Sequence, residues 1–400
     1  MRDKLISFLK SNPTIVQLVW GVSRLVLRVW GCFVPVQNNT IIFCSFGGRK
    51  FDDSPKAIYD EICRRHEFDN WRLIWAFVEP EKYDIPRGEK LKVDTLAFFK
   101  ALLYSKVWVS NSGMDRGVEL HMKRTIRVET WHGTPLKKIC GEEHQNSLGG
   151  GKSFKYNKKL DADAIRCAQS GYDREILARV MHAEVSSFLL CDLPRNDSLL
   201  KYTREQISAI KESLMIPKNK KVLLYMPTYR EYEIYKNAKI HLPINLDKWE
   251  KMLGSDYFLL VRLHYAVSKE LNIQNSDFIK DVSDYSFIND LYVIADVLLS
   301  DYSSAYFDFS ILERPMLCFA YDLEEYEEKR GLYLKLDETL PCSIDYDEDS
   351  LLAHIINLDY NKASKKSHMF RCKYAPHAGN ASKKIVNEIL LKLQIGNNDN

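Results

Sequence analysis

The distribution of hydrophobic and polar positions divides the chain into three stretches. Residues 14–30 (TIVQLVWGVSRLVLRVW) are apolar except for a stripe at helical spacing formed by Gln17, Gly21, Arg24 and Arg28. From Asn39 the pattern changes to short, β-rich apolar runs separated by helix-like stretches. The runs 40–46, 71–78, 106–110, 126–131, 164–168 and 186–190 read as buried strands, and 54–65 and 95–104 as helices. Ser54 can cap the first of these helices, with Pro55 at its first position. A second series begins near Lys220, with strands at 221–225, 257–263, 278–281, 296–299 and 316–319. Helices are expected at 303–312 and 381–393. Strands alternating with helices predict parallel sheets with crossover helices. Turn residues at Pro194-Arg195-Asn196-Asp197 and Pro217-Lys218-Asn219 separate the two series. The reading is therefore an N-terminal amphipathic helix (1–36) followed by two α/β domains (37–205 and 206–400).

Length and composition agree with this division. A chain of 400 residues is too long for one ordinary core. A formal charge of +3, from 57 basic and 54 acidic residues, gives no field that would favour nucleic acid. The nine cysteines are scattered without a C-x-x-C pair, which points to reduced thiols and argues against a structural zinc. In the N-terminal stretch the charge-free run 11–23 is too short to cross a bilayer, and no small-residue cleavage site follows it. Trp20, Val22, Leu25, Val26, Val29 and Trp30 surround the basic stripe, and Arg2, Lys4 and Lys10 precede it. Such a helix suits a membrane interface. Packing onto the body of the protein and an uncleaved membrane span are the alternatives.

In two α/β domains, substrates are expected at the C-terminal ends of the strands, in a cleft between the domains. The chemistry at those ends is therefore the informative part. His132 follows the run 126–131, with Gly133, Thr134 and Pro135 after it and Lys137-Lys138 further on. Alone, a histidine in such a place is more often structural than catalytic. The glycine, the hydroxyl, a helix start at Pro135 and two lysines shift the balance toward a general base. Arg262 and His264 close another strand, two residues apart and so on one face, a pairing suited to a diphosphate. Ser303 and Ser304 stand where a strand turns into a helix, an anion-binding arrangement, and Asp308 lies one turn on. Pro227-Thr228-Tyr229-Arg230 follows a strand and could meet a nucleotide or phosphate. Asp161-Ala162-Asp163 matches a metal-binding tripeptide, although helix-cap readings dominate for it. The chain contains no P-loop, no G-x-G-x-x-G and no G-x-S-x-G.

These motifs resemble one family. ETWHGTPLKK (129–138), PRND (194–197), PTYR (227–230), RLH (262–264) and DVSDYSFINDLYVIADVLLSDYSSAYFDF (281–309) are similar to the CDP-glycerol:poly(glycerophosphate) glycerophosphotransferases. That family comprises the teichoic-acid primases and polymerases and related capsule enzymes. The resemblance implies a GT-B-like fold of two Rossmann-like domains, with the donor on the C-terminal one. It implies catalytic roles for His132 and His264. Trp131, Gly133, Thr134, Pro135, Arg195, Pro227, Thr228, Arg262, Leu263, Ser303, Ser304 and Asp308 would bind substrate. It further implies a CDP-glycerol or CDP-ribitol donor, a lipid-linked or polymeric anionic acceptor, no metal or other cofactor, and a peripheral place on the cytoplasmic face of the membrane. The sequence departs from the family pattern at Tyr265, Cys140 and Pro376-His377-Ala378-Gly379, which bears on the polyol more than on the chemistry. The competing readings are a GT-B glycosyltransferase using a nucleotide sugar and a catalytically silent envelope-assembly scaffold.

Overall fold

The computed structural model describes residues 13–115, 120, 125–143, 164–230, 242–263, 271 and 273–398. Among the described residues, thirteen strands form two sheets. The first contains β1 (Gln37–Cys44), β2 (Arg72–Phe77), β3 (Glu89–Lys92), β4 (Ser105–Ser110), β5 (Ile126–Glu129), β6 (Ile165–Ala168) and β7 (Phe188–Leu190), in the order β3-β2-β1-β4-β5-β6-β7. The second contains β8 (Lys221–Met226), β9 (Tyr257–Val261), β10 (Ile279–Asp281), β11 (Val297–Ser300), β12 (Met316–Phe319) and β13 (Ile344–Asp345), in the order β10-β9-β8-β11-β12-β13. The pairings from β3 to β6, and all those of the second sheet, are parallel. In each sheet the order reverses beside the first strand of the series, which is the topology of a doubly wound α/β fold.

Burial explains why the central strands are continuous apolar runs. Val222, Leu224, Phe258, Leu260 and Leu298 point into one core. Their neighbours Leu223, Tyr225, Leu259, Val261 and Leu299 point into another. Successive side chains alternate across the sheet, so a strand covered on both faces needs apolar residues at every position. The strands absent from the sequence reading lack that signal. β3 is Glu-Lys-Leu-Lys at a sheet edge, with two of its positions exposed, and β13 has only two residues.

The chain divides into two compact units. One comprises Met1–His132, Asp161–Cys167 and Ser382–Asn400; the other comprises Gly133–Leu160 and Ala168–Ala381. The N-terminal helix runs Pro13–Phe33. Leu27 is buried with Val34 against Ile42, Ile74, Phe98 and Leu102, and Trp30 packs partly on the same core. Val22, Leu25, Val26, Val29 and Phe33 are each more than half exposed and share the other face of the helix. Among the described residues no helix is long and apolar enough to cross a membrane. The closing helix, Ala381–Asn398, is longer than expected.

Candidate active site

In the first unit the site is built where β1, β4 and β5 end. β5 stops at Glu129, earlier than the apolar run suggests, because Trp131 takes a left-handed conformation with φ of 57°. Such a φ is a strained choice for a bulky residue and swings the chain out of the sheet. The His132 ring then lies over the Trp131 indole, with centroids 4.2 Å apart, and 5.8 Å from the ring of Phe46. His132 Nδ1 is 3.0 Å from the backbone oxygen of Asn111. A carbonyl can only accept, so Nδ1 carries the proton and the neutral ring has its lone pair on Nε2. Below this pair, Asn111 Oδ1 accepts from Phe46 N at 2.8 Å and Ser112 Oγ accepts from Gly47 N at 3.0 Å. Asn111 Nδ2 donates to Asp53 Oδ1 at 3.0 Å. Burial pushes the neighbouring Asp52 carboxyl up to about 6 despite the opposing charge of Lys50.

In the second unit, three groups of candidate residues meet in a buried polar network. Gly133 is pressed against the double serine: a Cβ there would stand 2.9 Å from Ser304 Oγ, and its φ of 154° also favours glycine. Thr134 Oγ1 donates to Gln169 Oε1, and Gln169 Nε2 donates to Asp192 Oδ1 at 2.8 Å. Asn196 Nδ2 bridges Asp192 Oδ1 at 3.1 Å and Asp308 Oδ1 at 2.8 Å. Arg195 Nη2 donates to Asp308 Oδ2 at 2.5 Å. Burial raises the Asp192 carboxyl to about 7 and that of Asp173 to about 6. Asp308, expected to hold a ligand hydroxyl, is thus engaged by Arg195 and Asn196.

The ends of β8 and β11 are tied together by charge. Asp301 Oδ1 accepts from the backbone N–H groups of Thr228 and Tyr302, at 2.8 and 2.7 Å. Its Oδ2 accepts from Arg230 Nη1 at 2.9 Å. Arg230 also makes a two-pronged bond to Asp322, with both contacts at 2.8 Å. The guanidinium lies over the rings of Tyr302, Tyr326 and Tyr321 at 4.8, 5.1 and 5.3 Å. Burial by itself would lower its pKa; Asp301 and Asp322 reverse this and hold the cation firmly charged. Arg230 is 5% exposed, so the expectation that it meets a phosphate is corrected: it braces the loop that carries Pro227 and Thr228.

Three further expectations change. Pro135 starts no helix; instead Leu136 O accepts from Tyr333 N and Lys138 N donates to Gly331 O, which holds the segment extended. β9 ends at Val261, so the strand-face argument for Arg262 fails. Arg262 Nη1 donates to the carbonyls of Val282 and Tyr285, at 3.2 and 2.7 Å, and Leu263 N donates to Ser283 Oγ at 2.9 Å. The helix after the double serine has only five residues, Ala305–Phe309. Ser303 Oγ caps it by accepting from Ala305 N at 3.1 Å, whereas Ser304 makes no side-chain cap. His264 and Asp161-Ala162-Asp163 lie outside the described residues.

A profile of the CDP-Glycerol:Poly(glycerophosphate) glycerophosphotransferase family matches residues 27–391. The chain belongs to this family. This glycerophosphotransferase-family chain is 30% identical over 385 residues to a teichoic acid poly(glycerol phosphate) polymerase of Bacillus spizizenii, covering 93% of this chain and 97% of that one. It is 33% identical over 336 residues to a teichoic acid glycerol-phosphate transferase of Staphylococcus aureus, covering 80% and 84%. A longer relative, a teichoic acid poly(glycerol phosphate) polymerase of Staphylococcus epidermidis, is 34% identical over 335 residues, but the match spans only 46% of its length. Among solved structures, the wall teichoic acid polymerase TagF superposes with a TM-score of 0.84 at 30% identity, over 99% of both chains. TagF has also been solved with a histidine replaced by asparagine and soaked with CDPG. A UDP-GlcNAc 2-epimerase of Neisseria meningitidis, 12% identical with a TM-score of 0.53, shares the fold alone. The fold is α/β and GT-B-like.

Sequence reasoning missed Asn111, Gln169, Asp192 and Asp301 as site-building residues. Asn111 and Asp301 each directly follow a strand, so the rule that drew attention to His132 could have found them. Gln169 directly follows β6 and falls under the same rule, whereas Asp192, two residues beyond β7, does not.

Proposed function

We propose that this chain transfers glycerol phosphate, or a related polyol phosphate, from CDP-glycerol to an acceptor hydroxyl during teichoic-acid or capsule-type polymer synthesis. The acceptor oxygen attacks the β-phosphorus, the bond from that phosphorus to the bridging oxygen breaks, and CMP leaves. Nε2 of His132 takes the hydroxyl proton. Family membership supports the reaction class. The observation that carries the role of His132 is its Nδ1 contact with Asn111 O, which leaves Nε2 basic. Phosphoryl transfer depends chiefly on positioning and charge stabilisation. Arg262, His264, Ser303 and Ser304 are the groups we assign to the donor diphosphate, and the reading needs no metal. Trp131, Gly133, Thr134, Pro135, Arg195, Pro227, Thr228, Leu263 and Asp308 complete the substrate site. His132→Ala should lower CMP release from CDP-glycerol by at least about 10²-fold with the fold intact by circular dichroism. Near-normal turnover would sink the assignment. Running CDP-glycerol and CDP-ribitol side by side, with product length resolved, identifies the polyol.

The same reading places the protein on the cytoplasmic face of the membrane, held peripherally by the N-terminal helix. The exposed row Val22, Leu25, Val26, Val29 and Phe33 supports this. Because Leu27 and Trp30 belong to the core, the discriminating change is a substitution on the exposed face. Replacing Val22, Leu25 and Val29 together by Glu should release the protein from anionic vesicles in a flotation assay. Unchanged binding would refute the helix as anchor.

A further inference from the structure

We propose that Asn111 is a positioning residue that fixes the tautomer and the orientation of His132. The inference rests on the reading of His132 as the base. Asn111 is 1% exposed and stands one residue beyond β4. Its side chain is held on three sides: it accepts from Phe46 N at 2.8 Å, donates to Asp53 Oδ1 at 3.0 Å and donates to Ser45 Oγ at 3.4 Å. Phe46 and Ser45 follow β1, and Asp53 opens the helix Asp53–Cys63. Two elements therefore grip one amide. Ser112 adds a further tie through Gly47 N at 3.0 Å.

A peptide gripped in this way cannot tilt, so its carbonyl faces Nδ1 of His132 in one direction. The consequence is chemical. A fixed acceptor keeps the proton on Nδ1 and so keeps the lone pair on Nε2, and the carbonyl dipole stabilises the imidazolium formed when Nε2 takes a proton. If the carbonyl turned away, the neutral ring would be able to exchange to the Nε2–H form, which has no basic nitrogen in that position. The Trp131 indole covers one face of the ring. The charged groups of the network are Asp53, which accepts from Asn111, and Asp52, which accepts from Ser45 Oγ at 3.3 Å and pairs with Lys50 at 3.6 Å.

The test uses Asn111→Asp, Asp53→Asn and the two combined, in the full chain. Asn111→Asp keeps the acceptor for Phe46 N but sets a carboxylate against Asp53. The double variant restores a hydrogen bond with donor and acceptor exchanged. We expect Asn111→Asp to lower kcat about tenfold or more with KM for CDP-glycerol within about threefold, and the double variant to regain most of the loss. Nitrogen-15 spectra of His132 in the free enzyme should change from the Nδ1–H form to a mixture in Asn111→Asp and return in the double variant. If Asn111→Asp does not fold, Asp53→Gly, which suits the left-handed backbone of that residue, removes the acceptor of the same bond and should move both readouts in the same direction. The proposal is overturned if kcat stays within about twofold of wild type, or if kcat falls while His132 keeps the pure Nδ1–H form. The spectra do not depend on turnover, so they separate this inference from the base assignment, which the His132→Ala result decides.

Discussion

The two units hold their candidate residues by different physical means. Around His132 the ties are hydrogen bonds among mostly neutral groups: the Asn111 amide and carbonyl, the Ser45 and Ser112 hydroxyls and the backbone N–H groups of Phe46 and Gly47, with Asp53 as the one carboxylate bound by Asn111. Around Thr228 and the double serine the ties are buried ions, with Arg230 between Asp301 and Asp322 and Arg195 against Asp308. The difference follows from the tasks proposed for each place. A base must gain and lose a proton near neutrality, so its supports should orient it without imposing a strong field. A loop that is to meet an anionic donor must keep its shape while a large charge arrives, and paired ions with several hydrogen bonds give that rigidity. Neutral hydrogen bonds contribute about 0.5–1.5 kcal/mol each, whereas removing one member of a buried ion pair costs about 3–5 kcal/mol.

The largest expected effect breaks the charged side of this comparison. Arg230→Met leaves Asp301 and Asp322 buried without their cation, so urea unfolding should show a loss of about 3–5 kcal/mol. A loss under about 1 kcal/mol would mean that the ion cluster is no stronger than the neutral bonds around Asn111. A smaller effect concerns Asp192, whose carboxyl in the second unit meets the amides of Gln169 and Asn196 and, among the described residues, no cation. Its pKa is raised from 3.8 to about 7, chiefly by burial. The folded state therefore binds more protons than the unfolded chain between those values, and stability falls as pH rises from about 4 to about 7. Asp192→Asn does not titrate, so its melting temperature should gain on the wild type across that window and then run parallel above it. A gap that is independent of pH would show that Asp192 is ionised throughout and belongs with the other charged supports.

Much of the fold was legible because the central strands are buried on both faces. The runs at β1, β2, β8 and β12 declare themselves by continuous apolar residues. Edge strands such as β3 do not, because half of their positions face water or the rim. At the site, the rule that chemistry gathers at strand ends drew attention to His132, Thr228 and the double serine. It erred at Arg262 because the strand stops at Val261, a boundary that the apolar Leu263 conceals. The supports were hidden for a different reason. Asn111 and Asp53 are 58 residues apart in the chain, and Asn196 and Asp308 are 112 apart, so nothing local in the sequence records that each pair is joined.

The closing helix has a consequence for how the protein is made. Residues from Ser382 onward belong to the first compact unit, where Arg65 donates to Asn387 Oδ1 at 2.7 Å. Ile385, Val386 and Ile389 of that helix are fully buried. A chain leaving the ribosome in order would complete the second unit at Ala381 while the first still lacked its last helix. Domains emerging from the ribosome usually fold in the order of synthesis. Here the unit whose translation begins first is finished after the second, and it carries the histidine assigned to catalysis; on the proposed reading, activity would therefore wait on the helix Ala381–Asn398.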